Sequence, residues 1–297
     1  MQLNHIHMAE WSDTAISLGA RTFGETDVIL DVFTPSRGRT RGLVYGGISQ
    51  KKRPMIEAGN TIDVQWKAKT ESSLGHFSVA DAINQRAARC MIDPLALAGL
   101  SAVTSILRDG LPEGEAKDGL YEATETLLDV MGEPDIWPAI FIKWELGFLQ
   151  QMGYGLNLET CVISGANDGL THVSPKSGCA VRGSEAEEYI DKLLSLPAFL
   201  TDAKAPPSPY DIGAGFKLTG YFLTRRLFAD INRDAPEARY LMLERLEKSG
   251  RILHTKEQVQ TAPKPTATAQ GNYMGAKPNV PEHKKVGRHI RQPMNRK

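Results

Sequence analysis

Cysteine is scarce. Only Cys90, Cys161 and Cys179 occur in 297 residues, too few for a disulfide framework, and this fits a reducing cytoplasm. No run of about 18 apolar residues is present, so no membrane-spanning helix is expected. The opening stretch MQLNHIHMAEW has no basic segment leading into an apolar one, and no secretory leader is expected. His5 and His7 alternate there with no third ligand nearby, so they read as a flexible end rather than a metal site. Catalytic signatures are missing too: there is no phosphate-binding loop, no GxGxxG after a strand, no HExxH and no GxSxG. GAGFK at 213–217 has glycines but not the second half of a phosphate loop. Glu145 stands alone in KWELGFL, where a carboxylate on an apolar helix pairs with a nearby base or caps a neighbouring element. The chain is therefore expected not to be an enzyme.

Net charge is also absent, with 35 basic and 35 acidic residues, but the balance is uneven. Residues 261–297 hold eight Lys or Arg against Glu282 alone, a charge of +7 that leaves −7 on residues 1–260. Basic ends of this kind bind nucleic acid or acidic partners, or serve solubility. A second concentration lies in FTPSRGRTRGLVYGGISQKKRP, residues 33–54, where six of 22 residues are basic and none is acidic.

What is present in the first third is a series of short alternating segments. In TDVILDVFT, Val28, Leu30 and Val32 fall on one face and Ile29, Asp31 and Phe33 on the other. NTIDVQWKAKT puts Ile62, Val64 and Trp66 together. With EWSDTAISLGAR, RTRGLVYG and LGHFSVADAI, they make five strands parted by Gly/Pro turns, the size of a small barrel of OB or SH3-like type. From residue 86 the period changes to that of helices, at 86–108 (parted near Pro94), 119–131, 134–152, 185–196, 215–231 and 236–248. PPSPY reads as a rigid break, and 155–184 as a loop. Residues 256–297 have almost no large apolar side chains and are expected to be disordered.

The basic stretch is the leading candidate site. Arg37, Arg39, Arg41, Lys51, Lys52 and Arg53 would track phosphates, with Phe33, Tyr45 or Trp66 available for base stacking. The competing reading is a solvated hairpin whose charges keep a sheet edge soluble. Cys161, Cys179 and His172 offer at most three zinc donors and lack paired Cys-x-x-Cys spacing, so no metal is expected.

The stretch GETDVILDVFTPSRGRTRGLVYGG (24–47) looks like the N-terminal signature of the bacterial DNA repair family RecO. FIKWELGFLQQMGYGLNLETCVISG (141–165) is similar to that family's helix, Leu-Gly-Tyr and Cys-x-x-Cys segment, and VSPKSGC (173–179) echoes its following turn. The resemblance covers roughly residues 9–250. It implies an α+β multidomain protein: an N-terminal five-stranded OB-fold β-barrel (1–83), then an α-helical domain (84–255), with the basic tail (256–297) outside the family core.

The implied activity is that of a recombination mediator. Such a protein binds single- and double-stranded DNA, anneals complementary strands and helps RecA load onto DNA coated with single-stranded-DNA-binding protein (SSB). The implied partners are RecR, in some species RecF, and the acidic SSB tail. For that tail Lys143 beside Trp144 is the candidate contact, a cation next to an apolar groove. Many family members carry a four-cysteine zinc module. Here Cys161 matches its first ligand, while Ser164, Arg182 and Glu185 stand at the other three, so 155–185 reads as a degenerate module without cofactor. The rival reading is a protein–protein adaptor in a repair complex that does not bind DNA. A nuclease is a weaker third, since no acidic ligand cluster stands at motif spacing.

Overall fold

A computed structural model describes residues 9–70 and 72–254. The expected tail at 256–297, and His5 and His7, lie outside these.

Five strands close into a barrel: β1 (Ala9–Phe23), β2 (Asp27–Thr34), β3 (Gly38–Val44), β4 (Thr61–Ala68) and β5 (His76–Asn84). The order is β1-β2-β3-β5-β4, with β4 returning to β1. β3 meets β5 in parallel at Leu43 and His76, and the other pairings are antiparallel. This is the OB arrangement rather than an SH3-like one. The long first strand serves two neighbours because it bends at a bulge between Ser17 and Gly19, where Gly19 takes a φ of +116°.

The alternation seen in the sequence sorts the two cores. Val28, Leu30, Val32, Ile62, Val64 and Trp66 fill the barrel. Phe33, on the opposite face of β2, is fully buried in a second core shared with the helices, its ring 5.6 Å from that of Tyr121.

The helices are α1 (Arg86–Cys90), α2 (Pro94–Gly110), α3 (Leu120–Asp129), α4 (Trp137–Gln151), α6 (Pro209–Phe222) and α7 (Glu237–Lys248), with the short turn α5 (Gly183–Ala186) between α4 and α6. Local chemistry sets their starts. Asp93 caps α2 by accepting from the Leu95 N–H at 2.8 Å, with Pro94 in the first turn. Ser208 and Asp211 form a capping box on α6. PPSPY is therefore not only a break, because its Ser208-Pro209 starts a helix six residues before the expected position. α6 runs on into a π-helical turn, Leu223–Phe228.

Two expectations are corrected. Residues 155–184 are not a plain loop. They hold β6 (Asn157–Cys161), β7 (Leu170–Val173) and β8 (Cys179–Arg182), which with β9 (Leu194–Ser195) form a four-stranded sheet ordered β6-β8-β7-β9. The helix expected at 185–196 is instead the end of α5, a 3-10 turn (Glu187–Lys192) and β9. Strands of two to five residues with mixed burial leave no readable period.

The β2–β3 hairpin is wedged against the α2–α3 connection. Gly38 has a φ of +65°, and a Cβ there would strike the Glu115 carbonyl. Gly38→Ala combines left-handed strain with a clash against main chain, and should cost roughly 2–5 kcal/mol, measured by urea unfolding. A variant as stable as the parent would show that the hairpin can lift without penalty.

Candidate nucleic-acid interface

The six basic candidates divide by what they touch. Arg39 is spent within the fold. It donates to Asp31 Oδ1 from Nε at 3.1 Å and from Nη2 at 2.7 Å, and from Nη1 to the Leu111 carbonyl at 3.4 Å. Its own carbonyl accepts from the Gly114 N–H at 2.8 Å. With 16% of the side chain exposed, Arg39 is poorly placed to meet a phosphate. Arg41 donates to Glu113 Oε2 from Nε at 2.9 Å and from Nη2 at 2.7 Å, and this hydrogen bond raises its pKa against the opposing effect of burial. Two of the six charges are thus explained largely by docking the barrel onto the helical body. The partners outside the hairpin, the Leu111 carbonyl and Glu113, stand 72 residues away, which no local pattern announces.

Arg37, Lys51 and Arg53 are exposed, and Lys52 is half-buried. Lys52 Nζ donates to the Tyr45 carbonyl at 2.6 Å, and Arg53 is 74% exposed with Glu57 at 3.8 Å. The loop that carries Lys51, Lys52 and Arg53 is held by its backbone. Ser17 Oγ donates to the Ile56 carbonyl at 2.7 Å, and Asn60 Nδ2 donates to the Pro54 carbonyl at 2.9 Å and the Met55 carbonyl at 3.2 Å. Ile56 anchors the loop in the barrel core. The basic side chains therefore stand on a fixed turn, which lowers the ordering entropy of a contact.

Of the stacking candidates, Phe33 and Trp66 are buried, at 0% and 3% exposure. Trp66 donates from Nε1 to the Leu74 carbonyl at 3.2 Å. Tyr45 is 57% exposed beside His76. Sequence reasoning passed over Trp11, which is half-buried and lies beneath the Arg37 guanidinium at 5.3 Å. No local sequence pattern signals it, because the pairing of β1 with β4 is what sets Trp11 opposite Trp66.

On the helical body, Lys143 and Trp144 point to different places. Trp144 is in the core, stacked on Phe148 at 5.5 Å and donating from Nε1 to Thr124 Oγ1 at 3.0 Å, so it offers no surface to a partner. Adjacent residues on a helix diverge by about 100°, and one of the pair had to turn inward. Lys143 is exposed, with Nζ 5.9 Å from the Phe199 ring centroid, at the edge of a groove of about 660 Å³ lined by Leu146, Leu156, Leu158 and Leu200 and also by the polar Asn167 and the acidic Glu159. Glu145, next along, is fully buried and paired with Arg239, as an isolated carboxylate on an apolar helix requires.

The degenerate zinc positions do converge. Cys161 donates from Sγ to Glu185 Oε2 at 2.8 Å and accepts from the Arg182 N–H at 3.3 Å. The Arg182 side chain turns away to Asp168, at 2.8 Å. Burial and the Glu185 bond push the thiol up, but the N–H groups of Ser164 and Arg182 and the Ser164 hydroxyl outweigh them, and the net shift is downward. One thiol, one hydroxyl and one carboxylate do not fit zinc, which takes four Cys or His donors in structural sites. Among the described residues no group of three His, Cys, Asp or Glu is placed to hold a metal ion.

The same cluster makes a pH prediction. Hydrogen bonds from Cys161 and then Ser164 hold the Glu185 carboxyl below its usual range. Its contribution to stability is present above the ordinary glutamate value of about 4.3 and is lost as pH falls through the lower folded value. Cys161→Ala should move the Glu185 titration, followed by carboxyl carbon NMR, upward toward the ordinary value. An unmoved titration would mean the thiol is not the donor that matters.

Comparison with known proteins agrees on family. The family described as Recombination protein O N terminal matches residues 8–86, and Recombination protein O C terminal matches 91–234. The DNA repair protein RecO of Hyphomonas neptunium is 55% identical over 237 residues, covering 80% of this chain and 98% of that protein. That of Roseobacter denitrificans is 45% identical over 79% of this chain and 97% of its own length. That of Phenylobacterium zucineum is 39% identical over 82% and 100%. The matched segments span the barrel and the helical body alike, and on that footing the chain belongs to the RecO family of DNA repair and recombination proteins.

Proposed function

We propose that this chain is a recombination mediator that binds single- and double-stranded DNA, anneals complementary strands and helps RecA load onto SSB-coated DNA. The observation that carries the reading is the Lys51-Lys52-Arg53 turn, fixed by its backbone and projecting from an OB barrel in a RecO family member. Binding works by neutralising phosphates through the turn's three cations, with Arg37 at the other end of the β2–β3 hairpin and Arg41 contributing through its exposed edge. Annealing needs only that two strands be concentrated and positioned, so no catalytic group is assigned. The Lys143 groove suits an acidic peptide ending in an aromatic residue, which is the chemistry of the SSB tail. RecR, and in some species RecF, are the further partners of this reading, in the cytoplasm at the nucleoid.

Titrating labelled single-stranded DNA with the full-length chain at several salt concentrations tests it. Each phosphate contact should add about 0.7 to the magnitude of the log–log salt slope. Removing residues 261–297, with their charge of +7, should lower that slope further. An unchanged slope would take the tail out of the interface, and no binding at low salt would move the balance to the adaptor reading.

A further inference from the structure

The end of the barrel where β1 begins and β4 ends is floored with aromatic rings. Trp11 and Trp66 stack with centroids 5.7 Å apart and planes 18° from parallel. Phe77 meets Trp11 edge-on at 5.9 Å. Gly75 passes so close over Trp66 that a Cβ there would strike the indole, which leaves Trp66 closed in and Trp11 the ring at the rim. A cavity of about 300 Å³ opens here, lined by Trp11, Arg37, Thr40, Arg41, Ser73 and Glu113. Its wall comes from the β2–β3 turn, β3, the β4–β5 loop and the α2–α3 connection, so it exists only because the barrel is docked on the helical body.

We propose that this cavity is a slot for one unstacked nucleobase of a single strand, the base lying on the Trp11 ring. The proposal rests on the DNA-binding reading above and gives it a site. Three observations lead to it. The volume is at the small end for a ligand pocket, about 300–1,000 Å³, which suits one nucleotide unit and not a longer segment. The Trp11 ring already carries a planar, delocalised cation, because the Arg37 guanidinium sits over it on a side chain that can swing to the base face or to the adjoining phosphate. The rim is polar, with the hydroxyls of Thr40 and Ser73 and the Arg41–Glu113 pair offering donors and acceptors to a base edge. A hydrocarbon ring from a peptide would strip water from that rim and return no hydrogen bonds, whereas a base can restore them. A base inside a duplex is stacked on both faces and cannot enter, so the slot separates single strands from double strands, which phosphate contacts alone do not do.

The experiment uses the full-length chain and ten-nucleotide oligonucleotides. All four tryptophans emit, but Trp66, Trp137 and Trp144 are at most 4% exposed, so direct contact with a base falls on Trp11, and the part of the quench that Trp11→Phe removes is the signal of the slot. A single strand should quench it, and a strand of the same length with abasic sites should bind roughly 5- to 100-fold more weakly without quenching. Trp11→Ala should lose the quench and the same factor in affinity at an unchanged salt slope, while Trp11→Phe keeps most of the affinity. Intact and abasic strands that bind the parent chain equally, with a steep salt dependence, would overturn the slot and leave the DNA-binding reading standing. Absence of any binding at low salt would remove both. Quenching by an acidic, Phe-ended peptide and by no oligonucleotide would assign the cavity to a protein partner and overturn the proposal. If Trp11→Ala does not fold, the abasic comparison on the parent chain decides alone.

Discussion

Glu145→Gln should destabilise the protein by about 3–5 kcal/mol and lower its melting temperature by roughly 6–20 °C. Glu145 is fully buried on α4, and the Arg239 side chain facing it from α7 is 4% exposed. Arg239 donates from Nε to Glu145 Oε1 at 2.6 Å and from Nη2 to Oε2 at 2.9 Å. The Thr219 hydroxyl of α6 also donates to Glu145, and Arg239 Nη2 reaches the Phe216 carbonyl at 2.9 Å. One ion pair thus ties three helices together. Glutamine keeps the shape but removes the charge. Arginine cannot release its proton, so it is left as an uncompensated buried cation. Replacing both partners, as in Glu145→Leu with Arg239→Met, should recover most of the loss, because two desolvation penalties disappear together. Thermal melts of the parent, Glu145→Leu, Arg239→Met and the double form a complete cycle. A single Gln variant melting within about 2 °C of the parent would mean that water reaches the pair.

Reversing Lys51, Lys52 and Arg53 to Glu should weaken single-strand binding about 100-fold near 0.1 M salt and reduce the salt slope by about 2. Each lost phosphate contact removes about 0.7 of slope for a single strand, and three together give that figure. The fold should tolerate the change, since Ser17 and Asn60 hold this turn through its main-chain carbonyls. Half-buried Lys52 loses its bond to the Tyr45 carbonyl and Arg53 its exposed pairing with Glu57, and little else in the turn depends on these side chains. Fluorescence anisotropy across a salt series, with circular dichroism as the folding control, measures both quantities. Binding that is unmoved in affinity and slope would make the basic turn a solubilising feature and bring the adaptor reading forward.

How much of this is legible in the sequence depends on the range of the forces involved. Alternation in β2 and β4 is a local property, and by itself it sorts Val28, Leu30 and Val32 from Ile29, Asp31 and Phe33. Helix periodicity likewise places α2 and α7, with Pro94 marking the start of α2. The sheet at 157–195 is invisible there because strands this short carry no period, and its order is fixed by pairing between distant segments. The basic cluster is visible as a cluster, but its division into structural and free charges is not. Asp31 is eight residues from Arg39 and meets it within the β2–β3 hairpin, while Glu113 is 72 from Arg41 and meets it only when the hairpin is docked. Lys143 and Trp144 are adjacent in sequence, yet a helix has to send one of them into the core. The zinc positions are read by resemblance, and their convergence on Cys161 through hydrogen bonds is a property of the fold.

The docking of the hairpin also bears on how the chain is made. A ribosome completes the barrel strands by Asn84, but the groups that cover the outer face of β2 and β3, namely the Leu111 carbonyl, Gly114 and Tyr121, emerge later. During that interval Phe33 and the Asp31–Arg39 pair face water with nothing over them. The nascent barrel is consequently a provisional object. It reaches its final stability only after translation has moved about 40 residues further, at roughly 5–20 residues per second, so a pause just after residue 84 would prolong the exposure of its most aggregation-prone face.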